Sequence, residues 1–159
     1  MNNQAYFASL PKKYMGSGLL VRDPFGAVLI VTPTYKPTLE IPGGIVEAGE
    51  SPRACAQRES LEELGLELTP QRLLVVDYLM ATDERPDALI FIFDGGVLEP
   101  DDIARIRLPP TELEAWQFVL ASELPALMLP RMVRRLQCAL GALTAGETWY
   151  LEDGVKTHL

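Results

Sequence analysis

The sequence predicts an α/β fold in which helices pack on a mixed β-sheet. Short segments rich in β-branched and aromatic residues alternate with two segments of helical character, and this mixture is typical of the class. A chain of 159 residues has the size of one domain with its own core. Because 48% of the residues are hydrophobic and 23% are charged, disorder is excluded. We therefore expect a single domain over 1–159.

The first elements are a loose segment and a hairpin. Residues 1–15 are mostly polar, and we expect a loose N-terminal segment there. Two apolar runs at 19–21 and 28–31 flank the sequence Asp-Pro-Phe-Gly at 23–26, which has the composition of a turn. This pattern predicts a β-hairpin.

A loop and a helix follow. The stretch 34–44 is rich in proline and glycine, so it predicts a loop with at most a short strand at 39–41. Ser51-Pro52 supplies a helix N-cap and a proline at the first helical position, and Gly65 supplies a C-terminal stop. The sequence therefore predicts a helix over 52–64.

The second half is predicted to contain three strands, a helical segment and a terminal hairpin. The segment 122–143 has apolar residues at helical spacing, with Ser122 as a candidate cap and Pro130 as a kink or restart. An Asp-Gly pair in the tail indicates a hairpin within 144–159. The strands, the first two nearly buried on both faces, are predicted at 72–80, 89–93 and 116–120.

The charge balance limits the partners of the chain. Asp plus Glu number 22 against 14 Lys plus Arg, for a net charge of -8, and no basic run is present. Long nucleic acid is an improbable ligand because nothing would neutralise a series of phosphates. A small phosphorylated ligand remains compatible, since a bound divalent metal supplies positive charge. No signal-type region and no run of roughly 18 apolar residues is present, so we expect a cytoplasmic location and no membrane association.

The cysteines and the histidine do not form a metal site. Cys55 and Cys138 lie far apart, and His158 is the only histidine, so a Cys/His zinc site is excluded. We expect both thiols to be reduced and buried, with Cys55 as a core residue rather than a nucleophile. We expect no catalytic role for His158.

Three carboxylates are crowded on the predicted helix 52–64. Glu59, Glu62 and Glu63 share one sector of it, although like charges at this spacing destabilise a helix by roughly 0.2–0.5 kcal/mol per pair. Clustered carboxylate oxygens suit a hard cation such as Mg²⁺, which would reverse the sign of this repulsion. The alternative is a solvated acidic face. The opposite sector, predicted to pack, contains Ala54, Gln57, Leu61 and Leu64.

The glycine-rich turn before this helix favours the metal interpretation. Pro42-Gly43-Gly44 allows the backbone to approach a ligand closely. From Gly44 onward the residues resemble the signature box of the Nudix hydrolases: a glycine, five residues, a glutamate, seven residues, Arg-Glu, then Glu-Glu and a glycine. The matching positions are Gly44, Glu50, Arg58, Glu59, Leu61, Glu62, Glu63, Gly65 and Leu66. Ser60 departs from the usual apolar residue, and we interpret it as a packing variation.

The resemblance implies an α/β/α sandwich and a set of residue roles. Glu59, Glu62 and Glu63 would bind Mg²⁺ or Mn²⁺, with the Gly43 carbonyl as a further ligand, while Arg58 would orient the site by pairing with Glu50. Water would attack phosphorus, and a phosphoanhydride would break. Glu63 would help to activate that water, or a carboxylate outside the box would do so. If the general base is a carboxylate outside the box, Glu112 is preferred to Glu114 for this role.

The substrate is left open by the sequence. Tyr35, Lys36, Arg85 and Asp87 are candidates for contacting a base, sugar or phosphate. The resemblance implies a pyrophosphohydrolase of a nucleoside triphosphate, a nucleotide sugar or another nucleoside diphosphate derivative. Features typical of ADP-ribose, dinucleoside polyphosphate and coenzyme A hydrolases are missing. Alternatives are a nucleotide sensor without turnover and an interaction protein with a solvated acidic face. A homodimer through 122–143 and the tail is also compatible.

Overall fold

The computed structural model describes residues 2–157 and contains one mixed eight-stranded sheet. Strands β1 to β8 are Tyr14–Arg22, Val28–Pro33, Gly43–Ile45, Leu73–Leu79, Ala88–Val97, Leu113–Val119, Trp149–Glu152 and Val155–Lys156. The spatial order is β6-β2-β1-β5-β4-β7-β8, and β3 pairs with β1 beside this path. The pairs β1–β5 and β4–β7 are parallel and the other pairs are antiparallel.

Two long helices cover the two faces of this sheet. Helices α1 to α5 are Asn3–Ser9, Pro52–Leu64, Pro100–Ile103, Leu124–Leu127 and Pro130–Ala145. Ala56 and Leu64 of α2 pack in one apolar cluster, whereas Leu136 and Ala139 of α5 pack in the other. Because successive strand residues point to opposite faces, the sheet contributes to both clusters. The predicted α/β/α sandwich is confirmed.

The N-terminal segment differs from its prediction at two places. Residues 1–15 were expected to be loose, but Asn3–Ser9 is helical and Asn2 caps it by accepting a hydrogen bond from the N–H of Ala5 at 2.7 Å. The first strand begins at Tyr14, because Tyr14 and the residues after it pair in register with β5. Pairing with a central strand therefore extends β1 far beyond the predicted apolar run.

The loop before α2 also differs from its prediction. The short strand lies at Gly43–Ile45 instead of 39–41, because it pairs with Gly16–Gly18 of β1. Glu40 makes only an isolated bridge to Val31. The glycine pair therefore belongs to the sheet, which fixes its position.

The C-terminal elements follow the predictions closely. The segment 122–143 is divided into α4 and α5, and Pro130 is the restart. Ser122 is not a cap, since Glu123 occupies that position and makes no capping side-chain hydrogen bond. The tail hairpin is confirmed as β7 and β8, with Asp153 and Gly154 at positive φ in its turn. His158 lies outside the described residues. Within residues 2–157, no helix combines the length and the apolar character needed to cross a bilayer.

Helix α2 has the predicted ends but a different buried face. The hydroxyl of Ser51 accepts a hydrogen bond from the N–H of Ala54, and Gly65 ends the helix in a left-handed conformation. Leu61 was predicted to pack, but 51% of its surface is exposed, and Ala54 is exposed too. The buried positions are Cys55, Ala56, Ser60 and Leu64. The stripe that faces the sheet is therefore rotated from the predicted one.

Ser60 is fully buried in this stripe. Its hydroxyl donates to the carbonyl of Gln57 at 2.8 Å and accepts from the N–H of Leu68 at 3.0 Å. The departure from the usual apolar residue is therefore compensated by two hydrogen bonds, which tie the helix to the segment that follows it.

We expect Ser60→Ala to lower the free energy of unfolding by about 1–3 kcal/mol, because the N–H of Leu68 would lose its acceptor inside the protein. Urea unfolding followed by circular dichroism measures this change. Ser9→Ala is the control, since the Ser9 hydroxyl bonds to Tyr6 at an exposed position. Equal stabilities of the two variants would contradict the role of the Ser60 bond.

Candidate active site

The glycine pair in β3 lies directly against the carboxylates of α2. The N–H of Gly43 donates to Oε2 of Glu63 at 2.8 Å. A Cβ atom at Gly44 would overlap the carboxylate of Glu59, and one at Gly43 would overlap the carbonyl oxygen of Ser17. Both positions therefore require glycine because strand, helix and carboxylates approach closely.

Arg58 holds three carboxylates in place. Its Nε and Nη2 donate to the two oxygens of Glu50 at 2.8 and 3.0 Å, which is a bidentate pair. Its Nη1 donates to Glu59 at 2.9 Å and to Glu62 at 3.0 Å. Hydrogen bonds from Arg58 lower the pKa of Glu50 to about 2. Arg58 thus organises the acidic face of α2.

Glu63 and Glu59 are carboxylates in surroundings that disfavour their charge. Burial raises the pKa of Glu63 to about 8, opposed by the hydrogen bond from Gly43 and assisted by nearby negative charges. Burial also raises the pKa of Glu59, while Arg58 opposes this shift. The charge of Glu112 contributes to both shifts, so this exposed residue lies near the cluster. The site therefore has an excess of negative charge.

The donor set fits a hard divalent cation. Glu59, Glu62 and Glu63 offer only carboxylate oxygens, and a cation would remove the cost of their proximity. Within residues 2–157, no three Asp, Glu, His or Cys side chains already converge on a common point. The oxygens are engaged by Arg58 and by the N–H of Gly43 instead. A metal ion would compete with these donors.

A cavity of about 310 Å³ opens beside the glycine pair. Its lining includes Tyr35 and Lys36, the two candidates for substrate contacts, together with Gly43, Gly44, Met132 and Arg135. The ring of Tyr35 is 71% exposed, and Nζ of Lys36 lies 5.2 Å from its centre. Lys36 also pairs with Glu40 at 2.7 Å.

The other predicted polar candidates lie elsewhere. Arg85 does not line this cavity, and its positive charge acts instead on Arg131. Asp87 forms an ion pair with Lys13 and accepts a hydrogen bond from Tyr78. Neither residue is brought to the carboxylate cluster.

The cysteines are thiols with packing roles. Cys55 is fully buried, and burial raises its pKa to about 12, so it is not a nucleophile at neutral pH. Cys138 is only half-buried, which corrects the prediction that both thiols are buried.

Arg135 was missed by the sequence analysis. Its Nε donates to Oδ2 of the fully buried Asp77 at 2.7 Å, and the N–H of Gly154 donates to Oδ1 at 3.0 Å. Arg135 lies on the face of α5 that packs, beside Leu136 and Ala139. A charged residue among apolar positions at helical spacing was the signal that could have revealed it.

We expect Gly44→Ala to reduce kcat by about 100-fold, because the added methyl group displaces the carboxylate of Glu59. Steady-state hydrolysis at saturating Mg²⁺ measures this loss. Gly49→Ala is the control, since a Cβ at Gly49 would meet open space, although Gly49 has a positive φ that Gly44 does not have. A similar loss of kcat in both variants would show that the loss does not come from displacement of the Glu59 carboxylate.

Comparisons with known proteins identify the family and the fold of the chain. The sequence model of the NUDIX domain matches residues 12–137. The fold is similar to a MutT protein from Methanosarcina mazei Go1, with a TM-score of 0.68, 22% identity, and coverage of 88% of this chain and 100% of that chain. A UDP-X diphosphatase aligns with a TM-score of 0.73 and 16% identity over 95% of this chain and 75% of that chain. A NUDIX hydrolase from Nitrosomonas europaea aligns with a TM-score of 0.66 and 24% identity over 92% of this chain and 98% of that chain. The chain belongs to the Nudix family of hydrolases.

Proposed function

We propose that the protein is a Mg²⁺- or Mn²⁺-dependent pyrophosphohydrolase that cleaves a phosphoanhydride in a small nucleotide-type substrate. The observation that carries this proposal is a pair of half-buried carboxylates, Glu59 and Glu63, which lie against the glycines that line the cavity. Carboxylates of a solvated acidic face would point into water instead of lying against the backbone of a strand.

The proposed roles in the reaction follow from the positions of the side chains. Glu59, Glu62 and Glu63, with the carbonyl of Gly43, would hold the metal, which supplies positive charge to phosphoryl oxygens and lowers the pKa of water. Arg58 keeps the Glu59 and Glu62 oxygens oriented through its Nη1.

Glu112 is the proposed general base. Its charge acts on both half-buried carboxylates, Glu59 and Glu63, yet it is exposed and is not one of the proposed metal ligands. It accepts a proton from the attacking water, the new P–O bond forms, and the anhydride bond breaks with its electron pair on the departing phosphate.

The cavity supports a nucleotide-type substrate. Tyr35 offers an exposed ring on which a base can stack, and Lys36 offers a cation for a phosphate. The volume of the cavity, about 310 Å³, is at the lower end of the range for small-molecule sites. Among structures of similar fold, one is described as an ADP-ribose pyrophosphatase and another as an Ap4A hydrolase. Nucleoside triphosphates, nucleotide sugars and nucleoside diphosphate derivatives are therefore the substrates to compare.

The test is hydrolysis of a panel of these compounds with Mg²⁺, with Mn²⁺ and with EDTA. We expect turnover of at least one class with either metal and none with EDTA. If no compound is hydrolysed while nucleotides bind tightly, the protein is a sensor. If neither metal nor nucleotide binds in calorimetry, the acidic face is only solvated.

Two further properties stay predictions. A homodimer through 122–143 and the tail hairpin is tested by light scattering. The cytoplasmic location is tested by fractionation of cells that produce the protein.

A further inference from the structure

Helix α5 begins with an unusual concentration of positive charge. Arg131, Arg134 and Arg135 lie within its first six residues, and its first turn contains no acidic residue. The N-terminus of a helix already has a partial positive charge, so a cation there is unfavourable, whereas an anion is favourable. The preceding Leu129 provides no side-chain hydrogen bond to the free N–H groups. This helix end therefore lacks a negative partner.

Arg135 has a donor that the protein does not use. The residue is 4% exposed, and its Nε is bonded to Asp77. Its Nη1 has only a contact of 3.8 Å with the sulfur of Met132, and its Nη2 is buried without any hydrogen-bond partner in the described part of the chain. A buried guanidinium donor without a partner costs free energy, and it points to an acceptor supplied by a ligand.

A second cavity adjoins both features. It has a volume of about 180 Å³ and lies between the loop at Thr38 and the start of α5, where Leu129 and Arg131 line it. Glu40, Met132 and Arg135 line this cavity and the active-site cavity alike. The two cavities are therefore neighbours.

The balance of charge beside the second cavity favours an anion. Burial lowers the pKa of Arg131, and the positive charges of Arg85 and Arg135 lower it further. The carboxylate of Glu40 is compensated by Lys36, and that of Asp77 by Arg135. Asp153 and Asp77 act on Arg131 in the opposite direction, so the four cations Lys36, Arg85, Arg131 and Arg135 exceed the three carboxylates Glu40, Asp77 and Asp153 by one charge.

We propose that the second cavity binds an anionic oxygen group, a phosphate or a carboxylate, at the end of the substrate remote from the scissile phosphoanhydride. Nη2 of Arg135, the side chain of Arg131 and the N-terminus of α5 are its donors. This inference rests on the proposed function, because it assigns the far end of the same substrate. It selects phosphoanhydride compounds that carry a second anionic group over those with a neutral far end.

The first test is titration of the full-length protein with inorganic phosphate in EDTA, followed by calorimetry and ³¹P NMR. We expect saturable binding that weakens about tenfold in Arg131→Gln, because a hydrogen bond to a charged group is lost. Arg105→Gln is the matched control, since Arg105 is an exposed arginine paired with Asp102. Binding that is absent from the native protein, or equal in Arg131→Gln, overturns the proposal.

A second variant addresses Arg135 itself. Arg135→Lys keeps a cation beside Asp77 but removes Nη2, so we expect phosphate binding to weaken by a similar factor. If Arg135→Lys does not fold, the test of the anion site depends on Arg131→Gln alone. Titration with acetate shows whether the anionic group of the ligand is a carboxylate or a phosphate. Binding of acetate that depends on Arg131 identifies a carboxylate, whereas binding of phosphate without binding of acetate identifies a phosphate.

Kinetics connect the site to the substrate. For a hydrolysed compound with a second anionic group, we expect Arg131→Gln to raise KM about tenfold with little change in kcat, because binding is lost equally from ground and transition states. An unchanged KM overturns the assignment to substrate. If the protein binds phosphate through Arg131 but hydrolyses no compound, the proposed function is wrong and the proposed anion site is still supported.

Discussion

Replacement of Glu63 by glutamine is expected to reduce kcat by about 10²–10⁴-fold without lowering the stability of the protein. Glutamine has nearly the same shape, but it removes an anionic oxygen from the proposed metal site. It also removes a half-buried carboxyl group whose pKa is raised to about 8 by burial. Loss of activity together with retained stability is the signature expected of a functional carboxylate.

The measurement combines steady-state hydrolysis at saturating Mg²⁺ with thermal unfolding. Mg²⁺ should raise the melting temperature of the native protein more than that of Glu63→Gln, because a ligand stabilises only the state that binds it. Glu67→Gln is the matched control, since Glu67 is exposed just beyond α2 and accepts a hydrogen bond from the side chain of Gln57. Full activity of Glu63→Gln would exclude Glu63 from the chemistry.

Replacement of Arg135 by leucine is expected to lower the free energy of unfolding by about 3–5 kcal/mol. The variant leaves Asp77 fully buried, with the N–H of Gly154 as its remaining hydrogen-bond partner. Because Asp77 connects β4 to the turn of the tail hairpin, the charge left unpaired also weakens the packing of that hairpin.

Urea unfolding measures this loss, and two further variants define its cause. Arg134→Leu changes the residue that precedes Arg135 in α5. It should change the free energy of unfolding by less than about 1 kcal/mol, since the Arg134 guanidinium donates to the carbonyl of Asp153 at an exposed position. The double variant Arg135→Leu, Asp77→Leu should recover much of the stability, because a buried pair can be replaced by apolar residues. Additive losses in the double variant would contradict a direct coupling between the two side chains.

Local sequence signals predicted helix α2 well. Ser51, Pro52 and Gly65 determine the ends of α2 through hydrogen bonds and backbone conformations that depend on nearby residues alone. The Nudix pattern further predicted that the Gly43-Gly44 pair and the glutamates meet, and the structure brings them into contact. A motif over contiguous residues can contain this information because its members are close along the chain.

Pairings between distant residues were beyond the sequence analysis. The early start of β1 depends on β5, and the position of β3 depends on β1, so neither follows from local composition. The exposure of Leu61 depends on how α2 rotates against the sheet. These features arise from contacts between segments separated by tens of residues.

The sequence by itself determined the α/β class, the acidic helix and the family, because caps, periodicity and the box are local patterns. The tertiary structure decided how the active-site cavity and the second cavity adjoin. It also decided that Arg135 meets Asp77, 58 residues away, and keeps an unused donor. The packing of α5 on the sheet brings these two side chains together. A buried charge without a partner costs free energy, so the fold in which Arg135 pairs with Asp77 is favoured.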